Sequence, residues 1–309
     1  MRVKNILVAG NYEEEFKKMD SNCSREYRFL HADEIADSDL SWADVYVGSK
    51  PCANFNLAKV KWVHSFNAGV NNYLEIDGWE KYNVLLTRTV CSFGERISEY
   101  CLSYILRDLQ YHEEFLFCQK EKKWMPKTPK MIKDQTFLIY GTGEIGQVVG
   151  KTLSEFGATV FGVSKSGKQK QNFKEVFDIS SASSLICKAD WIISTLPLTH
   201  DTIRIFDTHF FENMNGSVFI NVGRGATVDE VALLSSLESG KVRHAILDVL
   251  SEEPLPENST LWGRKDVIIT PHISAITQKN EAVECFFDTL WKLENNEPIP
   301  NKVDFSKGY

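Results

Sequence analysis

Thr136-Phe-Leu-Ile-Tyr140-Gly141-Thr142-Gly143-Glu144-Ile145-Gly146 joins a strand to a helix through three glycines. The five residues before Gly141 are β-branched, aromatic or aliphatic and predict a buried strand. Apolar residues recurring from Ile145 to Phe156 predict the helix. In such a turn the first glycine permits the tight bend, and the second lets backbone N–H groups approach a pyrophosphate. The third lets the helix pack closely on the strand. The helix N-terminus adds partial positive charge for phosphates. Glycine-rich turns also arise for purely steric reasons, so the string alone is a weak signal. Its strand, turn and helix setting points to a dinucleotide held by Gly141, Thr142, Gly143, Glu144, Ile145 and Gly146.

Working outward, the next strand candidate runs through Thr159–Val163 and ends at Ser164-Lys165-Ser166. An NAD site usually places an acidic residue here to hold the ribose 2′-hydroxyl. Two hydroxyls and a cation stand there instead, with Lys168 and Lys170 close behind, which favours charge-assisted hydrogen bonds to a 2′-phosphate. NADP is the expected cofactor, with NAD the alternative. The competing reading of the same residues is a solvated, lysine-rich surface loop.

Further strand candidates follow at Trp191–Thr195, Val218–Asn221, Ala245–Val249 and Val267–Thr270, six in all, which suits one doubly wound sheet of the Rossmann type. Before this block, Ile6–Ala9, Tyr27–Leu30, Val45–Gly48, Trp62–Phe66 and Val84–Thr87 alternate with helical stretches and predict a second parallel α/β sheet. A single long helical segment is expected from Ser92 to about Lys123, and the two prolines in Trp124–Lys130 announce a new unit. Ala275–Leu293 reads as a helix. The expected architecture is α/β, a Rossmann domain (residues 99–277) inserted into a smaller flavodoxin-like substrate domain (residues 1–98 and 278–309). No repeat or low-complexity tract is apparent.

At 309 residues and 43% hydrophobic content the chain can bury two sizeable cores. A net charge of −7 lacks the basic footprint of a nucleic-acid or anionic-membrane binder. The seven cysteines, at 23, 52, 91, 101, 118, 187 and 285, are scattered without CxxC spacing, so no metal site is expected and a reducing, cytoplasmic setting fits. The N-terminal apolar run is too short for a signal peptide. No window approaches the roughly 18 to 20 apolar residues that cross a bilayer.

Three further motifs occur in order: Asn221-Val222-Gly223-Arg224-Gly-Ala-Thr-Val-Asp-Glu230, Asp248-Val-Leu-Ser-Glu-Glu253-Pro254, and Pro271-His272-Ile-Ser274. Together with the glycine motif they resemble the D-isomer-specific 2-hydroxyacid dehydrogenases, above all the branch of glyoxylate and hydroxypyruvate reductases, over nearly the whole chain. The resemblance implies that Arg224 binds the substrate carboxylate and polarises the keto oxygen, which suits a planar, always charged fork. It implies that His272 is the acid that protonates the carbonyl oxygen, and that Glu253 orients and supports the imidazolium. Each motif by itself has an ordinary structural explanation as a cap, a turn or a loop. Their joint placement after consecutive strands is what ligand sites in open α/β sheets require.

The same resemblance implies that Asp248 meets the nicotinamide carboxamide and that Thr195, Leu196 and Pro197 line the nicotinamide ribose. Val222, Gly223 and Ser274 would complete the cofactor contacts. Backbone N–H groups at Ala68, Gly69 and Val70 would cradle the substrate carboxylate, although Gly69 also suits an ordinary turn. Glu99 in Ser98-Glu99-Tyr100 is expected to support packing, and Lys50 has no assigned role. The substrate is expected to be a small 2-keto or 2-hydroxy acid, acted on in a cleft between the domains, and the assembly a homodimer. Two alternatives stay open: an NAD-dependent dehydrogenase of larger D-2-hydroxy acids, and a nucleotide-sensing binding protein without turnover.

Overall fold

A computed structural model describes residues 2–20 and 25–305; Met1, Cys23 and residues 306–309 lie outside the described residues. The chain divides into two compact units, Met1–Phe93 with Thr277–Tyr309, and Gly94–Ile276. Among the described residues no helix is long and apolar enough to cross a membrane.

The first unit carries strands β1 (Asn5–Ala9), β2 (Glu26–Leu30), β3 (Val45–Gly48), β4 (Trp62–Ser65) and β5 (Leu85–Arg88). All pair in parallel, in the order β2-β1-β3-β4-β5, which is the flavodoxin-like arrangement. Side chains alternate across the sheet. Leu7, Tyr46, Val63 and Leu86 enter one core, while Ile6, Val8, Val45, Val47 and Trp62 enter another with Phe16, Phe286 and Leu290. A sheet covered on both faces explains why the strands read as unbroken apolar runs. The C-terminal helix Lys279–Glu294 covers the second face, with Phe286 stacked on Trp62 at 5.2 Å between centroids. This helix begins later than the expected Ala275. Residues 275–278 leave the helical path, and the Ile276 carbonyl instead accepts from Arg96 Nη1.

In the second unit β6 (Thr136–Tyr140), β7 (Thr159–Val163), β8 (Glu175–Phe177), β9 (Trp191–Ser194), β10 (Ser217–Asn221), β11 (Val242–Leu247) and β12 (Val267–Ile269) form one parallel sheet. Its order is β12-β11-β10-β9-β6-β7-β8, the doubly wound Rossmann pattern. The sheet has seven strands where six were expected. The seventh, β8, is three residues long at the sheet edge with Glu175 exposed, so no sustained apolar run marks it. From β6 the chain builds outward on one side to β8 and then crosses to β9 on the other. The crevice where the order reverses therefore lies at the C-terminal ends of β6 and β9.

The expected single helix from Ser92 to Lys123 is two helices, Phe93–Leu109 and His112–Lys120. Tyr111 adopts a left-handed φ of 56°, which an α-helix cannot pass through. The Leu109 carbonyl accepts from the Lys130 N–H of the returning chain. Ile97, Cys101, Ile105 and Leu109, spaced by four, bury one stripe of the first helix in the core of this unit.

Candidate active site

The glycine turn places each glycine under a different constraint. Gly141 has φ +100°, and a Cβ there would lie 2.5 Å from Thr195 Oγ1. A Cβ on Gly146 would sit 1.8 Å from the Gly141 carbonyl oxygen, so close packing beneath the turn requires the third glycine. Around Gly143 no atom beyond its own chain neighbours lies within 4 Å of such a Cβ. Packing within the protein therefore gives no reason for glycine at 143, whereas the approach of a ligand to the backbone does. The helix Glu144–Glu155 starts immediately afterwards and points its N-terminus at this open space. Thr195 Oγ1 donates to the carbonyl region of Tyr140 and Gly141, tying the end of β9 to the turn, and Leu196 is buried beside it. The Pro197 carbonyl accepts from Thr202 Oγ1.

Arg224, Glu253 and His272 stand on the loops after β10, β11 and β12. Asn221, buried at the end of β10, folds its own loop: Oδ1 accepts from the Gly223 N–H and Nδ2 donates to the Arg224 carbonyl. A side chain on Gly223 would strike the Leu196 backbone at 2.5 Å, and Val222 is buried. Arg224 Nη1 donates to the Gly223 carbonyl. Burial pulls the Arg224 pKa down while the Glu253 carboxylate opposes the shift, so the two side chains lie within electrostatic reach.

His272 Nδ1 lies 2.8 Å from Glu253 Oε2, while Glu253 Oε1 accepts from the Leu250 N–H. Both side chains remain accessible, at 50% and 38% exposure. His272 itself has φ +54°, a left-handed conformation disfavoured for a residue with a Cβ. Asp248 holds it there. The Asp248 carbonyl accepts from the His272 N–H, Oδ1 accepts from Thr270 Oγ1 and the Ile273 N–H, and Oδ2 accepts from the Ser274 N–H. Asp248 is 1% exposed and Ser274 is also buried. Both carboxylate oxygens are thus already engaged within the protein, beside the carboxamide contact implied from sequence. Tyr100 Oη extends the chain by a 2.6 Å hydrogen bond to Thr270 Oγ1. Sequence reasoning gave no task to Asn221, Tyr100 or Thr270. An asparagine closing a strand before Val-Gly is a turn signal that was available, but no local pattern links Tyr100 to Thr270.

At the other side of the turn, the Ser164 hydroxyl is buried with no hydrogen-bond partner. Lys165 Nζ pairs with Asp201 Oδ2 at 2.6 Å, and Ser166 Oγ accepts from the Lys168 N–H. Asp201, which sequence reasoning did not single out, comes from the loop after β9. Since β7 and β9 flank β6, their C-terminal loops border the same glycine turn.

Ala68, Gly69 and Val70 belong to the first unit, between β4 and the short helix Asn71–Leu74. Asn67 braces this loop, its N–H donating to Ser65 Oγ and its Nδ2 to the Ser49 carbonyl, while Val70 is buried. Lys50 is exposed, and its carbonyl accepts from Tyr46 Oη.

Residues 102–274 match the family model described as D-isomer specific 2-hydroxyacid dehydrogenase, NAD binding domain. An uncharacterized Streptomyces coelicolor protein is 35% identical over 268 residues, covering 86% of this chain and 95% of that one. Among solved structures, a D-isomer specific 2-hydroxyacid dehydrogenase family protein from Aeromonas salmonicida is similar at 30% identity and TM-score 0.85, over 98% and 100% of the two chains. An NADPH-dependent glyoxylate/hydroxypyruvate reductase from Sinorhizobium meliloti, in complex with NADP and sulfate, is similar at 28% identity and TM-score 0.86, over 99% and 100%. A third structure, from Xanthobacter autotrophicus in complex with NADPH and MES, has 25% identity and TM-score 0.89 over the whole of both chains.

Proposed function

The chain belongs to the D-isomer-specific 2-hydroxyacid dehydrogenases, and from that premise we propose that it reduces small 2-keto acids of the glyoxylate and hydroxypyruvate kind, with NADPH preferred over NADH. The observation that carries the chemistry is the His272 to Glu253 contact of 2.8 Å, held on a left-handed backbone beside Arg224. The residues present suit a phosphorylated dinucleotide. Gly143 leaves backbone open to a pyrophosphate, and the buried Ser164 hydroxyl lacks the acceptor that a 2′-phosphate would supply. The similar reductase with NADP bound supports the same choice.

A bound reduced nicotinamide supplies the hydride that goes to the carbonyl carbon. The protein has the other tasks. Arg224 offers a planar fork to the substrate carboxylate and the keto oxygen, and its partial burial strengthens both contacts. Because Glu253 occupies Nδ1, His272 presents Nε2 as the atom that gives its proton to the carbonyl oxygen. Glu253 stabilises the imidazolium before transfer and fixes the ring plane. Asp248 keeps the His272 loop in its strained form and is, in this reading, as much a positioning residue as a cofactor contact.

We also infer a homodimer and a reducing, cytoplasmic setting. Support for the first is the segment from His112 to Met131, where Leu116, Phe117, Met125 and Met131 are more than half exposed and Trp124 is 96% exposed; such apolar surface commonly marks an association site. The six cysteines among the described residues are all free, which suits the second.

The test is absorbance at the reduced-nicotinamide band with glyoxylate, hydroxypyruvate, pyruvate and phenylpyruvate, each with NADPH and NADH. Faster oxidation of NADPH with glyoxylate and hydroxypyruvate is the expected result. An NADH preference with phenylpyruvate would move the assignment to larger D-2-hydroxy acids, and cofactor binding without turnover of any acid would indicate a sensor.

A further inference from the structure

We propose that Asp201 is a specificity-determining residue, an internal carboxylate that competes with the 2′-phosphate of the cofactor for Lys165. The proposal rests on the NADPH reading above and refines it. Sequence alone finds no acid at the end of β7, where an NAD site would carry one. In space an acid is there, supplied by the loop after β9, with Asp201 Oδ2 2.6 Å from Lys165 Nζ. The strand order makes this encounter possible, because β7 and β9 are the two neighbours of β6 and their loops both border the glycine turn.

The pair is poorly suited to a structural role. Lys165 is 86% exposed and Asp201 57%, and ion pairs so well hydrated contribute little to folding. The ammonium holds the Asp201 carboxyl below its usual range, so the carboxylate stays ionised around neutral pH. A further titratable group, His200, places its Nδ1 3.9 Å from Asp201 Oδ1. Ser164, which precedes Lys165 in the chain, has a buried hydroxyl without a hydrogen-bond partner. A phosphate dianion with three acceptor oxygens can satisfy that hydroxyl and draw Lys165 away from a single carboxylate. It does so against the Lys165 to Asp201 attraction and against repulsion from Asp201. When the nucleotide lacks the phosphate, Lys165 keeps its carboxylate partner and no cation is stranded. Asp201 therefore narrows the gap between the two cofactors, leaving a site that prefers NADP and still accepts NAD.

Calorimetric titration of the whole protein with 2′,5′-ADP and with 5′-AMP, the adenosine ends of the two cofactors, tests this without turnover. The expected result is tighter binding of 2′,5′-ADP by the unmodified protein, and a further tightening of about threefold in D201N, the scale of one exposed ion pair. Binding of 5′-AMP should not tighten. The D201N gain should shrink when combined with K165A, since only relief of the direct repulsion is then left. Unchanged 2′,5′-ADP binding in D201N, equal tightening of both nucleotides, or a gain undiminished in K165A would overturn the competition. Equal binding of both nucleotides by the unmodified protein would instead defeat the NADPH reading, and this proposal with it.

Discussion

At the β12 end of the seven-stranded sheet, His272 is fixed by a buried carboxylate that accepts from Thr270, Ile273 and Ser274, and by Glu253 on its ring. Across the glycine turn, at the β7 end, Lys165 and Asp201 meet as an exposed ion pair in water. The two ends serve different physical needs. Proton transfer fails if the donor is displaced by an ångström, so the proposed acid is set by short hydrogen bonds anchored on the buried Asp248. Recognition of a phosphate tolerates looser geometry, because charge acts over distance, and it can be adjusted by one surface side chain.

Substitutions can break that contrast, and the largest effect belongs to the proposed acid. His272→Ala should lower kcat by about two to four orders of magnitude, while NADPH binding measured by fluorescence stays nearly unchanged. Retained turnover would remove His272 from its role and with it the need for a rigid end. Asp248→Asn should come next. It places an amide donor against backbone N–H groups and a hydroxyl inside the protein, costing about 2 to 4 kcal/mol, seen as a lower denaturation midpoint together with lost activity. An unchanged midpoint would mean that the Asp248 hydrogen bonds do not hold the loop.

Effects at the other end should be smaller and confined to one cofactor. Ser164→Asp should weaken NADPH by about tenfold through like-charge repulsion and leave NADH no weaker; equal losses for both would show that Ser164 does not face the 2′ position. The smallest effect is that of ionic strength. Between about 50 mM and about 0.5 M salt, NADPH binding should fall by roughly threefold more than NADH binding, with kcat steady. A salt-dependent kcat would put the electrostatic sensitivity at the wrong end.

Much of this was legible in the chain because it is local. The runs Ile6–Ala9, Val45–Gly48 and Thr136–Tyr140 are strands because sheets covered on both faces demand unbroken apolar residues. Gly141, Gly143 and Gly146 announced their turn through their spacing between a strand-like and a helix-like run. What escaped was either short or nonlocal. Strand β8 has three residues at a sheet edge, and Tyr111 breaks a helix through its own backbone conformation, with no proline or glycine to warn of it.

The sequence by itself determined the two parallel sheets, the family, and the identity of Arg224, Glu253 and His272 as the groups to examine, because periodicity, glycine spacing and ordered motifs are properties of neighbouring residues. Only the tertiary structure decided that Asp248 grips the His272 loop, that Tyr100 reaches Thr270, and that Asp201 stands against Lys165. Those contacts join residues 26, 170 and 36 positions apart. The order in which strands assemble into a sheet brings such residues together, and short-range sequence pattern does not encode it.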